Sequence, residues 1–157
     1  MDLTPEQKKQ LKDPAWRLSH LYFIKDKFKK KIKLKPNRIQ RLLRANMTGM
    51  DMILKSRQVG ISTECLIQKL DTTAFTEHYT TAILSHKRES MEKLFSIVRR
   101  AHRFMPEGLR PVLDGGQGSK YELRFPEIDS KIYCTLEAVS DTVNDLHVSE
   151  MALMDSP

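Results

Sequence analysis

The chain has 157 residues, 39% of them hydrophobic and 30% charged, which suits one globular core and excludes a disordered tail. No apolar run approaches the roughly 18 residues needed to span a bilayer; the polar start MDLTPEQKKQLKD has no signal-like apolar segment, and Cys65 and Cys134 form neither a disulfide framework nor a metal spacing, so a reducing cytosol is expected. The net charge of +7 is unevenly spread: Lys8 to Arg44 holds 14 Lys/Arg against two acids, and the rest holds 13 against 18. That excess suits a polyanionic partner or a solvated face.

In chain order, Thr4 and Pro5 predict a short helix over 5–12, capped by the threonine. Trp16, Leu18, Leu21, Tyr22, Ile24 and Phe28 fit one apolar face of a helix over 14–30. Lys29 to Lys35 reads as an extended lead-in ending at Pro36, and Asn37 caps a helix to about Asn46. The apolar run Met50 to Leu54 after Gly49 predicts a strand. KSRQVGIST is turn-like, and 62–75 is a helix with Leu66, Leu70 and Ala74 inward. Tyr79 to Leu84 is a strand, and Ser85 caps a helix from about Lys87 to Arg103 with Met91, Leu94, Phe95, Val98 and Ala101 on one face. Residues 106–119 read as a loop, Tyr121–Phe125 and Lys131–Leu136 as a hairpin or two neighbouring strands, and Asp145–Ser149 as a last strand. This order predicts an α/β sheet with crossover helices, with residues 1–35 as a basic helical N-terminal arm.

A phosphate-binding loop requires a strand, a turn whose glycine lets backbone N–H groups close on an anion, and a helix N-terminus facing it. MDMIL, KSRQVG and ISTECLIQKL have that order. Against G-x-x-x-x-G-K-[ST], Gly60 matches the second glycine and Ser62 the Mg²⁺-binding hydroxyl, whereas Lys55 replaces the first glycine and Ile61 the lysine. Lys55 can still reach into a phosphate cradle, and Arg57 can neutralise charge on a transferring phosphoryl group. A plain strand–turn–helix with solvated cations is the other reading. Triphosphate hydrolysis also needs a carboxylate to orient water. Glu150 follows the strand DLHVS, with Ser149 where a metal-side acid is usual; a surface acid after a strand is the alternative.

Together these segments resemble the ATPase domain of the large terminase subunit, the DNA-packaging motor of tailed bacteriophages. Pro36-Asn37-Arg38-Ile39-Gln40 looks like the adenine-side motif, and ILKSRQVGIST, Ile53 to Thr63, looks like the family's deviant phosphate loop with an early lysine. Ile83-Leu84-Ser85-His86 before a helix carrying Leu94-Phe95, and NDLHVSEMA from Asn144 to Ala152, are also similar to it. The resemblance spans about residues 16–154. It implies a P-loop NTPase fold, a RecA/ASCE-like sheet with flanking helices, over 36–157 and incomplete at its C-terminus. It implies ATP and Mg²⁺ as cofactors. Gln40 would read the base edge, and Lys55, Ser56, Arg57, Gln58, Val59, Gly60, Ile61, Ser62 and Thr63 would form the nucleotide loop. Ser62 would hold the metal, Arg57 would trigger hydrolysis and Glu150 would be the catalytic carboxylate.

The resemblance further implies coupling of hydrolysis to movement of double-stranded DNA into a procapsid, in a homo-oligomeric ring with small terminase subunit and portal protein, in host cytoplasm and without a membrane. Family members are longer and carry a ribonuclease-H-like nuclease domain, so this chain is expected to be an N-terminal piece without nuclease activity. Three other readings stay open: another RecA- or helicase-like motor, a nucleotide- or DNA-binding module without turnover, and a plain basic DNA-binding domain.

Overall fold

The computed structural model describes residues 4–26, 28–55, 59–116, 118–137 and 142–149. Its element order is α1 (Pro5–Leu11), α2 (Pro14–His20), β1 (Phe23–Lys25), β2 (Lys31–Lys33), α3 (Arg38–Asn46), α4 (Ile61–Phe75), β3 (Thr80–Ser85), α5 (Arg88–Phe104), β4 (Glu122–Phe125), β5 (Ser130–Thr135) and β6 (Asp145–Ser149). The chain is a mixed α/β protein. Its main sheet has the order β4-β5-β3-β6, with β3 parallel to β5 and β6, and β4 antiparallel to β5.

Strand register fixes what each face carries. Thr81, Ile83 and Ser85 align with Asp145, His147 and Ser149 on one side, and Thr81 and Ile83 with Ile132 and Cys134 on the other. Leu123 lies opposite Ile132 and Phe125 opposite Ser130. Because side chains alternate, all of these share one face, against which α4 lies: Thr73 Oγ1 meets Thr81 Oγ1 at 2.7 Å, and Lys69 pairs with Asp145. The core joins Leu66, Ile67 and Leu70 of α4, Phe95 and Val98 of α5 and Ile83, Leu123, Phe125 and Ile132 of the sheet. α4 is buried on most sides, including Glu64, Cys65 and Asp71, which fits its lack of a polar stripe.

Helix α5 takes the expected apolar face, burying Met91, Leu94, Phe95, Val98 and Ala101. Thr4 and Asn37 form reciprocal capping boxes with Gln7 and Gln40. The cap expected of Ser85 differs: Lys87 precedes α5 without a side-chain bond to the helix.

Two sequence expectations fail. The helix over 14–30 ends at His20 and gives way to the hairpin β1–β2. Lysines at 25 and 29 and at 29 and 33 would stand one helical turn apart, a like-charge spacing that disfavours helix. Asp26 Oδ1 instead accepts the N–H groups of Phe28 and Lys30 at 2.8 Å, and Lys29 takes φ 62°, the turn-forming competition expected of Asp. The strand over 50–54 does not form either: the segment has no ladder partner among the described residues, and Met50, Met52 and Leu54 are 96%, 87% and 101% exposed. An apolar run is a strand only where a neighbour accepts its backbone bonds, and the carboxylate of Asp51 closes a turn on the N–H groups of Thr48 and Gly49 at its start.

Candidate functional site

The start of α4 is built around Gly60. It is the N-cap residue in a left-handed conformation, φ 75° and ψ 9°, which glycine adopts without strain. It has no side chain to cap the helix, and among the described residues no group bonds to the N–H groups of Ile61, Ser62 or Thr63. A helix of 15 residues therefore presents open first-turn donors and the positive end of its dipole.

The Pro36–Gln40 segment braces this turn. Asn37 Nδ2 donates to the Val59 carbonyl at 3.2 Å, and Gln40 Nε2 donates to the Gly60 carbonyl at 2.9 Å. Gln40 Oε1 accepts the Asn37 N–H at 2.8 Å, so both ends of this buried amide are engaged. Two motifs separated by twenty residues of sequence thus meet as one unit. Ser62 and Thr63 are half-buried, Ile61 is buried and Lys55 is exposed. The Ser62 hydroxyl bonds to nothing among the described residues, and Thr63 lines a small cleft with Phe23, Ile24, Lys25 and Arg100. Ser56, Arg57, Gln58 and Glu150, all singled out from the sequence, lie outside the described residues.

The height of this turn along the sheet follows from α4 running back along the strands. Lys69 pairs with Asp145, the first residue of β6. From Lys69 back to Ile61 is about 12 Å of helix at 1.5 Å per residue, and from Asp145 to Ser149 is about 13 Å of strand at 3.3 Å per residue. Because α4 ends at Phe75 and β3 starts at Thr80, the helix runs back along the sheet and turns its first turn toward the carboxyl ends of the parallel strands β3 and β6, where open α/β sheets form their ligand crevices.

Two features lie beneath the turn, and sequence reasoning missed the first of them. Glu64, in the first turn of α4 and 0% exposed, pairs with Arg44 of α3 and accepts from Gln68 Nε2 at 2.9 Å. His147 sits on the helix side of β6, where burial first, then the charges of Lys69 and Lys55, lower its pKa to about 4. The first could have been suspected from an acid in a helix's first turn; the second follows the strand alternation of DLHVS, which reads His147 as an inward or lateral strand residue and not as a catalytic one. Cys65 and Cys134 are free thiols, the latter pushed up to about 12 by burial, and so neither is a nucleophile near neutral pH.

Among the described residues there is no cluster of His, Cys, Asp and Glu that could hold a metal, and no helix is long and apolar enough to cross a membrane. Compared with known proteins, the chain matches no family model and no curated protein.

Proposed function

We propose that the chain is a P-loop-type ATPase, the N-terminal ATPase portion of a viral DNA-packaging motor of the large-terminase kind, binding ATP at the start of α4. The observation that carries this reading is the left-handed Gly60, clamped by Gln40 ahead of open first-turn amides at the carboxyl end of two parallel strands. An anion of high charge is what such a turn suits.

In this reading the amides around Val59 to Ser62 hold the phosphates, and Lys55 and Arg57 offset their charge. Mg²⁺ would rest mainly on the phosphate oxygens, with Ser62 as the protein group that would hold it. The Ser62 hydroxyl, which bonds to nothing among the described residues, suits that role, and the ion when bound would supply charge neutralisation on the phosphates. Glu150 orients a water that attacks the γ-phosphorus while the bond to the β-phosphate oxygen breaks, giving ADP and inorganic phosphate. A base edge competes with Gly60 for the Nε2–H of Gln40. Translocation of double-stranded DNA regardless of sequence then relies on phosphate contacts.

A second reading is nucleotide binding without turnover. It is favoured by Ile61, whose side chain is 7% exposed where the usual loop has a lysine, and by the neutral, buried Ser149.

Titration with a fluorescent ATP analogue together with a phosphate-release assay decides between them. The motor reading expects binding, hydrolysis, and a Glu150→Gln variant that binds but turns over at least about 100-fold more slowly. Binding with no release supports the second reading. No binding overturns both.

A further inference from the structure

We infer that the hairpin β1–β2 is the surface by which this chain grips the phosphate backbone of nucleic acid. This rests on the proposed motor function only for the class of partner; the surface itself comes from the fold.

The basic stretch of the sequence is not one continuous face. Its first lysines, Lys8, Lys9 and Lys12, lie on or next to α1, and Arg17 is buried against Asp71. Lys25, Lys29, Lys30, Lys31, Lys33 and Lys35 are gathered on the hairpin and the chain leaving it, and all but the half-buried Lys33 are exposed. The register puts Lys25 directly opposite Lys31 and Lys33 opposite Phe23, so the three lysines share one side of the ribbon. A like-charge pair facing across two strands destabilises a hairpin. The hairpin contains one described acid, Asp26, and its carboxylate is turned inward onto the N–H groups of Phe28 and Lys30. No carboxylate pairs with Lys25, Lys29, Lys30, Lys33 or Lys35 among the described residues. Lys31 is steadied by aromatic rings instead, its Nζ 4.5 Å from the centre of Phe23 and 5.0 Å from that of Phe104.

The hairpin is held rigidly at its base. Tyr22, next to β1, is fully buried and donates to Asp71 at 2.9 Å, while Leu34, just after β2, is in the core. A concentrated, uncompensated and anchored charge suits a polyanion of fixed geometry. An anionic lipid surface would call for a broad apolar face to enter the acyl boundary; here the half-buried Phe23 lies against Lys31, and the exposed apolar side chains of the hairpin are Phe28 in the turn and Ile32 on the opposite side, so the face itself presents lysines. The hairpin base also shares a cleft with Thr63 of α4, which places the grip beside the proposed nucleotide turn.

The test is fluorescence anisotropy of a labelled duplex oligonucleotide against the whole chain, repeated over a salt series. In Lys25→Gln/Lys30→Gln/Lys35→Gln, three exposed lysines without a carboxylate partner, affinity at low salt should fall at least tenfold. The slope of log affinity against log salt should shrink by about 0.9 for each phosphate that the variant no longer neutralises. A control with the same charge change, Lys8→Gln/Lys9→Gln/Lys12→Gln, should lose much less. Equal losses in both variants, or an unchanged salt slope in the hairpin variant, would overturn the proposal. So would a hairpin variant that releases phosphatidylserine vesicles but keeps the duplex. The fluorescent ATP analogue is titrated into the same samples. Duplex grip through the hairpin with no ATP binding would sink the motor reading and leave this surface standing; ATP binding without duplex grip would do the reverse.

Discussion

Gln40 and Gly60 are interlocked: the Gln40 Nε2–H donates to the Gly60 carbonyl at 2.9 Å, and a Cβ on Gly60 would stand 2.8 Å from that same nitrogen. Gly60→Ala therefore meets two penalties, a left-handed φ of 75° and displacement of the bracing amide. A destabilisation of about 1–3 kcal/mol is expected, together with at least tenfold weaker binding of the ATP analogue. Adding Gln40→Ala removes the clash and leaves the backbone strain, so the double variant should be more stable than the two single losses summed. Urea unfolding of all three variants measures this, and strict additivity would show that the two residues are independent.

The N-terminal segment is tied to the core by a buried ion pair. Arg17 Nη2 lies 2.7 Å from Asp71 Oδ2, Arg17 Nε bonds the same carboxylate, the Tyr22 hydroxyl donates to it at 2.9 Å, and the guanidinium covers the Phe75 ring at 4.6 Å. Arg17→Ala leaves a buried carboxylate without its cation, for which about 3–5 kcal/mol is expected. Arg17→Met/Asp71→Leu removes both charges and should recover most of that loss. Unfolding midpoints in urea check the order; a double variant as unstable as Arg17→Ala would show that packing, and not charge, holds the segment.

Much of the sheet and its helices was legible because their patterns are local. The three- and four-residue steps of α5 and the alternation in β4 and β5 come directly from burial on one face. The Asn37 cap and the Gly60 turn were legible as well, each being a short motif with a backbone cause. Their meeting was not, since a bond from Gln40 to Gly60 depends on how α3 packs on α4. The hairpin was missed because apolar residues at helical spacing, Leu21, Tyr22 and Ile24, masked the repulsion among the lysines that follow. The run Met50 to Leu54 has a strand's composition, but composition cannot supply a neighbouring strand.

That last difference is testable. Met50, Met52 and Leu54 are almost fully exposed, so replacing all three with Ser should change unfolding free energy by no more than about 0.5 kcal/mol per site. If the run were a buried strand, each loss would be about 2 kcal/mol or more. Guanidinium unfolding of the triple variant separates these values. Removal of the exposed apolar stripe should also reduce any self-association seen by sedimentation, since contiguous apolar patches drive it.

His147 makes stability depend on pH. It is half-buried, but its Nε2 is shut away from solvent without a hydrogen-bond partner among the described residues. Burial, helped by Lys69 and Lys55 and opposed by Asp145, lowers its pKa to about 4, against about 6.5 for an unfolded histidine. Between these values the unfolded chain binds a proton that the folded chain does not. The contribution is therefore complete above about pH 6.5 and is lost as the pH falls toward 4, reaching roughly 3 kcal/mol. Burial lowers the pKa of His102 too, whose Nε2 lies 2.8 Å from the Pro111 carbonyl, and it adds to the loss in the same direction. Urea unfolding at steps from pH 7.5 to 4 should show a steeper decline in the native chain than in His147→Leu. Parallel curves would mean that the imidazole of His147 is solvated in the folded protein and contributes nothing to its acid sensitivity.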